Sequence, residues 1–92
     1  GTGLMYRVEI TQAALKTLSA VPLKDRRRLD MAILALAEAP RPAGCKRLQG
    51  TDEPLWRLRV GMYRVVYALY DSRLTVLVIR VGPRKDVYRG LK

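Results

Sequence analysis

The residues of this chain best suited to chemistry are arginines grouped around one tight turn. In Trp56–Tyr70, WRLRVGMYRVVYALY, two alternating segments flank Gly61-Met62. Read as strand, Trp56, Leu58 and Val60 point to one side and Arg57 and Arg59 to the other. Gly61-Met62 fits a two-residue hairpin loop with glycine first, where a positive φ costs glycine nothing. Such a turn pairs Val60 with Tyr63 and sets Arg59 directly opposite Arg64. Like charges facing each other across a sheet repel, and such a pair persists when something compensates it. A bound phosphate is the compensation that arginine's planar fork suits best.

Other chemistries find little support. The chain has no histidine and a single cysteine, Cys45, so no Ser-His or Cys-His arrangement exists and an internal disulfide is excluded. The acidic residues lack metal-binding spacing, and no glycine-rich phosphate loop opens a helix. Action without a cofactor or metal is the expectation. Arginines with a tyrosine suit the stabilisation of a phosphoryl transition state in RNA, where the substrate's own 2′-hydroxyl is the nucleophile. Such a site must align that hydroxyl, neutralise the equatorial oxygens and protonate the leaving 5′-oxygen. Arginine does the second job well and proton transfer poorly, because its pKa leaves almost no neutral base near pH 7.

The elements that must position these side chains follow from periodicity. Tyr6–Ile10 alternates, with Tyr6, Val8 and Ile10 on one side. Thr11 is an N-cap for a helix over Gln12–Ala20 with Ala14, Leu15 and Leu18 inward. A second helix runs from Leu23 to about Ala39, with Leu29, Ile33, Leu36 and Ala37 sharing a face; Pro40 and Pro42 cannot continue it. Residues 40–54 read as loop. After the hairpin, a turn at Asp71-Ser72 leads into an apolar strand over Arg73–Val81. The order βααβββ predicts an α+β fold: a small, largely antiparallel sheet with the helical hairpin on one face and a basic groove on the other. Trp56, Leu58, Val60, Tyr63, Val65, Tyr67 and Leu69 would face the helices. Arg57, Arg59 and Arg64 would lie opposite with Val66, Ala68, Leu77 and Ile79. Arg80 falls on the packed parity and reads as an ion-paired or snorkelling cation.

Length and charge bound the partners. Ninety-two residues make one domain, read as 5–92, with Gly1–Leu4 ahead of Met5 taken as vector-derived. No apolar run approaches the roughly 18 residues of a membrane span, so a cytoplasmic chain with no membrane contact is expected. A net charge of +10, with thirteen arginines among eighteen cations, points to nucleic acid. Lys24, Arg26, Arg27 and Arg28 crowd the start of the second helix, where the macrodipole disfavours cations. With Lys46, Arg47, Lys85 and Arg89 they are candidates for RNA or ribosome contact, against the plainer reading of a solvated face.

LWRLRVGMYRVVYAL, followed by VLVIRVGPRKDVYR, resembles the toxins of the RelE/ParE superfamily of bacterial toxin–antitoxin systems, over essentially Met5–Arg89. The resemblance implies an endoribonuclease that inhibits translation by cutting messenger RNA in the ribosomal A site. The products would be a 2′,3′-cyclic phosphate and a 5′-hydroxyl. It implies that Arg57 and Arg59 stand where the family's well-studied member has two lysines acting at the 2′-hydroxyl. Arg64 would stabilise the phosphate, Arg84 would serve as the acid for the leaving oxygen, and Tyr88 would stack on a base. Arginine at both lysine positions, and Pro83 where many relatives have histidine, point to electrostatic and orientational catalysis, with Asp86 or ribosomal RNA accepting the proton. Implied partners are a cognate antitoxin, largely disordered until bound, the ribosome with its mRNA and rRNA, and operator DNA for the toxin–antitoxin complex. The alternatives are a ParE-like inhibitor of DNA gyrase and a catalytically weak RNA- or antitoxin-binding module.

Overall fold

Thr11 joins the first strand to the first helix and ties both to a distant strand. In the computed structural model, which describes residues 5–83, its hydroxyl accepts the Ala14 amide at 3.2 Å and donates to the Ile79 carbonyl at 2.7 Å. It follows strand β1 (Arg7–Ile10) and caps helix α1 (Gln12–Ala20), as its side chain predicts. Ala14 and Leu18 form the buried stripe of α1 at helical spacing, and Val21 just past its end is buried beside them. Leu15, expected inward, is 45% exposed, because a residue one step from Ala14 is rotated about 100° out of the contact line.

Helix α2 (Leu23–Ala35) follows Pro22 and is shorter than the sequence suggests. Its end tightens: Leu36, Ala37 and Glu38 donate to carbonyls three residues back, at 3.1–3.2 Å. This is a common way to satisfy the last carbonyls of a helix, and it stops propagation before Pro40. The freed Ala37 carbonyl accepts the Tyr6 amide at 2.8 Å, anchoring the entry to β1.

The sheet has five strands in the order β1-β5-β4-β3-β2, where β2 is Lys46–Arg47, β3 Leu55–Val60, β4 Tyr63–Tyr70 and β5 Thr75–Pro83. β1 runs parallel to β5 and the other pairings are antiparallel. The α+β class and the largely antiparallel sheet hold. The stretch expected to be all loop contributes β2, a two-residue edge strand on β3 too short to leave a periodic signal. β5 starts at Thr75 because 71–73 form a 3-10 turn and Leu74 takes a left-handed conformation, φ 47°.

Both helices pack on one face. Leu29 and Ile33 of α2 and Leu36 at its C-cap, with the α1 stripe, meet Val65, Tyr67 and Leu69 of β4 and Val76, Val78 and Val81 of β5. Trp56, Leu58, Val60 and Tyr63 flank this core. Tyr67 is fully buried and donates its hydroxyl to the Pro40 carbonyl at 2.8 Å, fixing the loop that leaves α2. Burial, and then Cys45 nearby, push its phenol well above the usual range. Among the described residues no helix is long and apolar enough to cross a membrane.

Candidate nucleic-acid interface

The β3–β4 hairpin forms in the expected register. Gly61 has φ 59° and Met62 does not share the positive φ, so glycine at the first loop position is what the turn requires. Any side chain here would also press on Arg28, whose guanidinium lies 3.2 Å from where a Cβ would stand. The turn pairs Val60 with Tyr63 and Arg59 with Arg64. Directly opposite residues have Cβ atoms about 4.5–5.5 Å apart, so two guanidinium groups project side by side from the face away from the helices.

One row further along the strands, Lys46 of β2 stands opposite Arg57 of β3, and Arg57 opposite Val66 of β4. The sheet therefore carries two like-charged cross-strand pairs in succession, each destabilising on its own. Among the described residues no carboxylate forms a salt bridge with Lys46, Arg57, Arg59 or Arg64. The one acidic residue on the described strands is Glu9, on β1, and it pairs with Arg7 at 3.6 Å.

The side of Arg80 is a correction. β4 and β5 slip register between Val66 and Tyr67: Tyr67 pairs with Val78 and Val66 with Arg80, leaving Ile79 without a partner. This is a β-bulge, and the extra residue reverses the alternation beyond it. Val76 and Val78 face the helices before the bulge and Val81 after it. Arg80 thus leaves the packed parity and joins Arg57 and Val66 on the open face, and Ile79 becomes the bulged residue. The carbonyl of the bulged residue accepts the Thr11 hydroxyl, so the N-cap residue of α1 is tied to the bulge.

The other candidates divide. Arg47 pairs with Trp56 on the helix side, its guanidinium 5.9 Å from the ring centroid, and does not join the open face. Lys24, Arg27 and Arg28 are exposed on α2, and Arg26 lies 3.8 Å from Asp30, a turn away. Arg84, Lys85, Tyr88 and Arg89, with Asp86, lie outside the described residues. On the same side of the sheet, beyond the arginines, come Leu55, Val66 and Ala68, all buried, and the half-buried Leu77. A groove of about 510 Å³ follows at the far end, lined by Met5, Arg7, Glu9, Tyr70, Arg73 and Leu77 among others.

At the edge of the helix side, a second cluster treats arginine differently. Arg41 lies 2.6 Å from Asp71 and 5.2 Å from the Trp56 ring centroid, and Tyr6 donates its hydroxyl to the same carboxylate. Arg41 first, then Tyr6, hold the Asp71 carboxyl below its usual range, and the bond to Asp71 holds the Tyr6 phenol above its own.

Comparison with known proteins agrees with this arrangement. A family model described as the ParE toxin of the type II toxin–antitoxin system parDE matches residues 8–88. No curated protein sequence matches at a significant level. Among solved structures, the RelE–RelB complex of the archaeon Pyrococcus horikoshii matches with a TM-score of 0.79 at 29% identity, over 90% of this chain and 99% of that one. The Mycobacterium tuberculosis toxin–antitoxin complex RelBE2 matches at 0.78 and 26%, over 90% and 95%. The isolated Escherichia coli RelE toxin matches at 0.73 and 28%, over 90% of each chain. With its sheet, its helical hairpin and nearly its whole length accounted for, the chain belongs to the ParE toxin family of type II toxin–antitoxin systems, and its fold is that of the RelE toxins.

Proposed function

We propose that this toxin is a ribosome-dependent endoribonuclease that cuts messenger RNA in the A site through attack of the 2′-hydroxyl. The observation that carries the reading is the Arg59–Arg64 pair, two arginines directly opposite each other on the side of the sheet away from the helices, with no carboxylate bonded to them among the described residues. Repulsion between them is relieved by a doubly contacted anion, and a phosphoryl group gaining charge in its transition state is such an anion. Arg57 and Lys46, one row away, orient the nucleotide carrying the 2′-hydroxyl, which supplies the nucleophile without a metal. Arg84 protonates the leaving 5′-oxygen and Tyr88 stacks on a base. Cleavage leaves a 2′,3′-cyclic phosphate and a 5′-hydroxyl. Asp86 or ribosomal RNA accepts the proton, since the chain has no histidine.

In this reading the toxin acts in the cytoplasm. A cognate antitoxin neutralises it by laying an acidic, partly apolar segment over the cationic surface, ordering as it binds; the complex in turn engages operator DNA. RelE structures solved with RelB support an antitoxin partner. The family match to ParE toxins favours one rival, poisoning of DNA gyrase without RNA cleavage.

Translation of a reporter message in a reconstituted system, with 5′ ends mapped, tests the proposal. Breaks within the A-site codon support it; gyrase-dependent DNA cleavage without RNA breaks supports the rival. Single-turnover cleavage is expected to stay flat between about pH 6 and 9, because no group of ordinary pKa in that range acts as base. A sharp limb near pH 7 would overturn the electrostatic mechanism. Ribosome association should weaken steeply as salt rises through counterion release.

A further inference from the structure

The face away from the helices holds two rows of cations, and Arg80 in the second has no part in the cleavage chemistry proposed above. Row one is Arg59 and Arg64, on β3 and β4. Row two runs across four strands: Lys46, Arg57, Val66, Arg80. Arg80 enters it only because the bulge at Ile79 reverses the alternation of β5. Arg57 and Arg80 stand two strand spacings apart, about 10 Å, with buried Val66 between them. Arginine stems on either side of a short apolar residue can cover it and still bring their charged heads together across a separation of that size. The two rows lie two residues apart along the strands, about 7 Å, a separation comparable to that of consecutive phosphates along a single RNA strand.

We infer that row two is a second phosphate site, in which Arg80 and Arg57 clamp the phosphate adjacent to the one held by Arg59 and Arg64, with Lys46 at its rim. The ligand is single-stranded RNA running parallel to β3 and β4, and Arg80 is a positioning residue. This rests on the reading of the open face as the RNA-cleaving surface. The antitoxin segment that covers these cations must order its own backbone as it binds, because an extended peptide lying flat on a sheet face leaves its amides and carbonyls without partners. A phosphodiester strand carries no such requirement. Bulges beside active sites commonly re-aim a side chain, and this one is bonded to Thr11, 68 positions away in sequence.

The test uses 2′-O-methyl RNA oligonucleotides, which cannot be cut, with one to four phosphodiesters, titrated at several salt concentrations. In the wild type, adding the second phosphate should raise affinity about tenfold, the low end for a charge-assisted contact. Arg80→Ala should shrink that step to twofold or less. It should also flatten the salt slope by about 0.7 for ligands with two or more phosphates, and leave binding of the one-phosphate ligand unchanged. Arg80→Met, which keeps the stem, serves if the alanine variant fails to fold, and Arg80→Lys should keep the slope. The inference is overturned if folded Arg80 variants reproduce the wild-type step and slope. It is equally overturned if affinity ignores phosphate number, or if a glutamate-rich peptide rather than RNA is the ligand whose binding depends on Arg80. Cleavage on ribosomes, run alongside, separates the two readings. An Arg80-dependent step in a toxin that cuts no message refutes the nuclease and keeps the phosphate site. Cutting without that step refutes the site alone.

Discussion

Arg41, in the loop after α2, and Arg64, on β4, are the same residue type in one small protein, and the fold treats them in opposite ways. Arg41 is held by a carboxylate at 2.6 Å and rests against an indole that Arg47 approaches as well. Arg64 faces another arginine, and the next row repeats the pattern with Lys46 and Arg57. The difference separates cohesion from readiness to bind. Where the chain needs a loop secured, it supplies the counter-charge itself; where cations gather with no carboxylate bonded to them among the described residues, the counter-charge is expected from a ligand.

The largest expected effects break this contrast most directly. Arg64→Ala and Arg59→Ala should each lower single-turnover cleavage by about 10²–10³, the cost of losing a preorganised donor to a developing oxyanion. Neither should lower the melting temperature, since each relieves a repulsion. If both leave cleavage within about threefold of wild type, the phosphate assignment is wrong. Arg41→Ala should do the reverse, leaving cleavage within about threefold while thermal unfolding records a small loss, about 0.5–1 kcal/mol for an exposed cation–π contact.

Intermediate in size is Thr11→Val, which removes a helix cap and strands the Ile79 carbonyl. A loss of about 1–3 kcal/mol in chemical denaturation is expected. The surviving fold should bind short RNA like the Arg80 variants, because the bulge loses its anchor. Retention of full RNA affinity would separate the bulge from binding.

The smallest effect is Asp71→Asn. Because the folded chain depresses this carboxyl, its stabilisation is present above the unfolded carboxylate's pKa of about 3.9 and disappears as pH falls through the lower folded value. The variant should therefore melt slightly below wild type at pH 7, and the gap should close under acid conditions below about pH 4. A gap that persists there would show that Asp71 acts by shape rather than charge.

Most of the frame was legible in residue pattern. The Gly61-Met62 turn dictated the register that places Arg59 opposite Arg64, and the Thr11 cap and the helix-facing parity of Trp56, Val65 and Tyr67 followed from spacing alone. What was hidden has a common cause. Ile79-Arg80-Val81 is apolar on both sides of one cation, so nothing in the residues marks an inserted position, and strict alternation assigns Arg80 to the wrong side. The bulged residue is bonded to one 68 positions away in sequence, Thr11. Lys46–Arg47 likewise becomes strand only because β3 offers an edge to pair with. Local rules predict local structure, and these two features are tertiary.

The parallel pairing of β1 with β5 has a consequence for timing. Arg7 finds its strand partner at Thr75, so the sheet cannot close until nearly everything between has been synthesised. Until then β4 lacks one neighbour, Thr11 has no bulge to secure and Arg80 has no side to point to. A nascent chain arrested before residue 75 should be protease-sensitive throughout, helices included. The hairpin could turn early, but the second row of cations waits for closure, so a half-made chain emerging from a ribosome is not yet equipped to grip RNA.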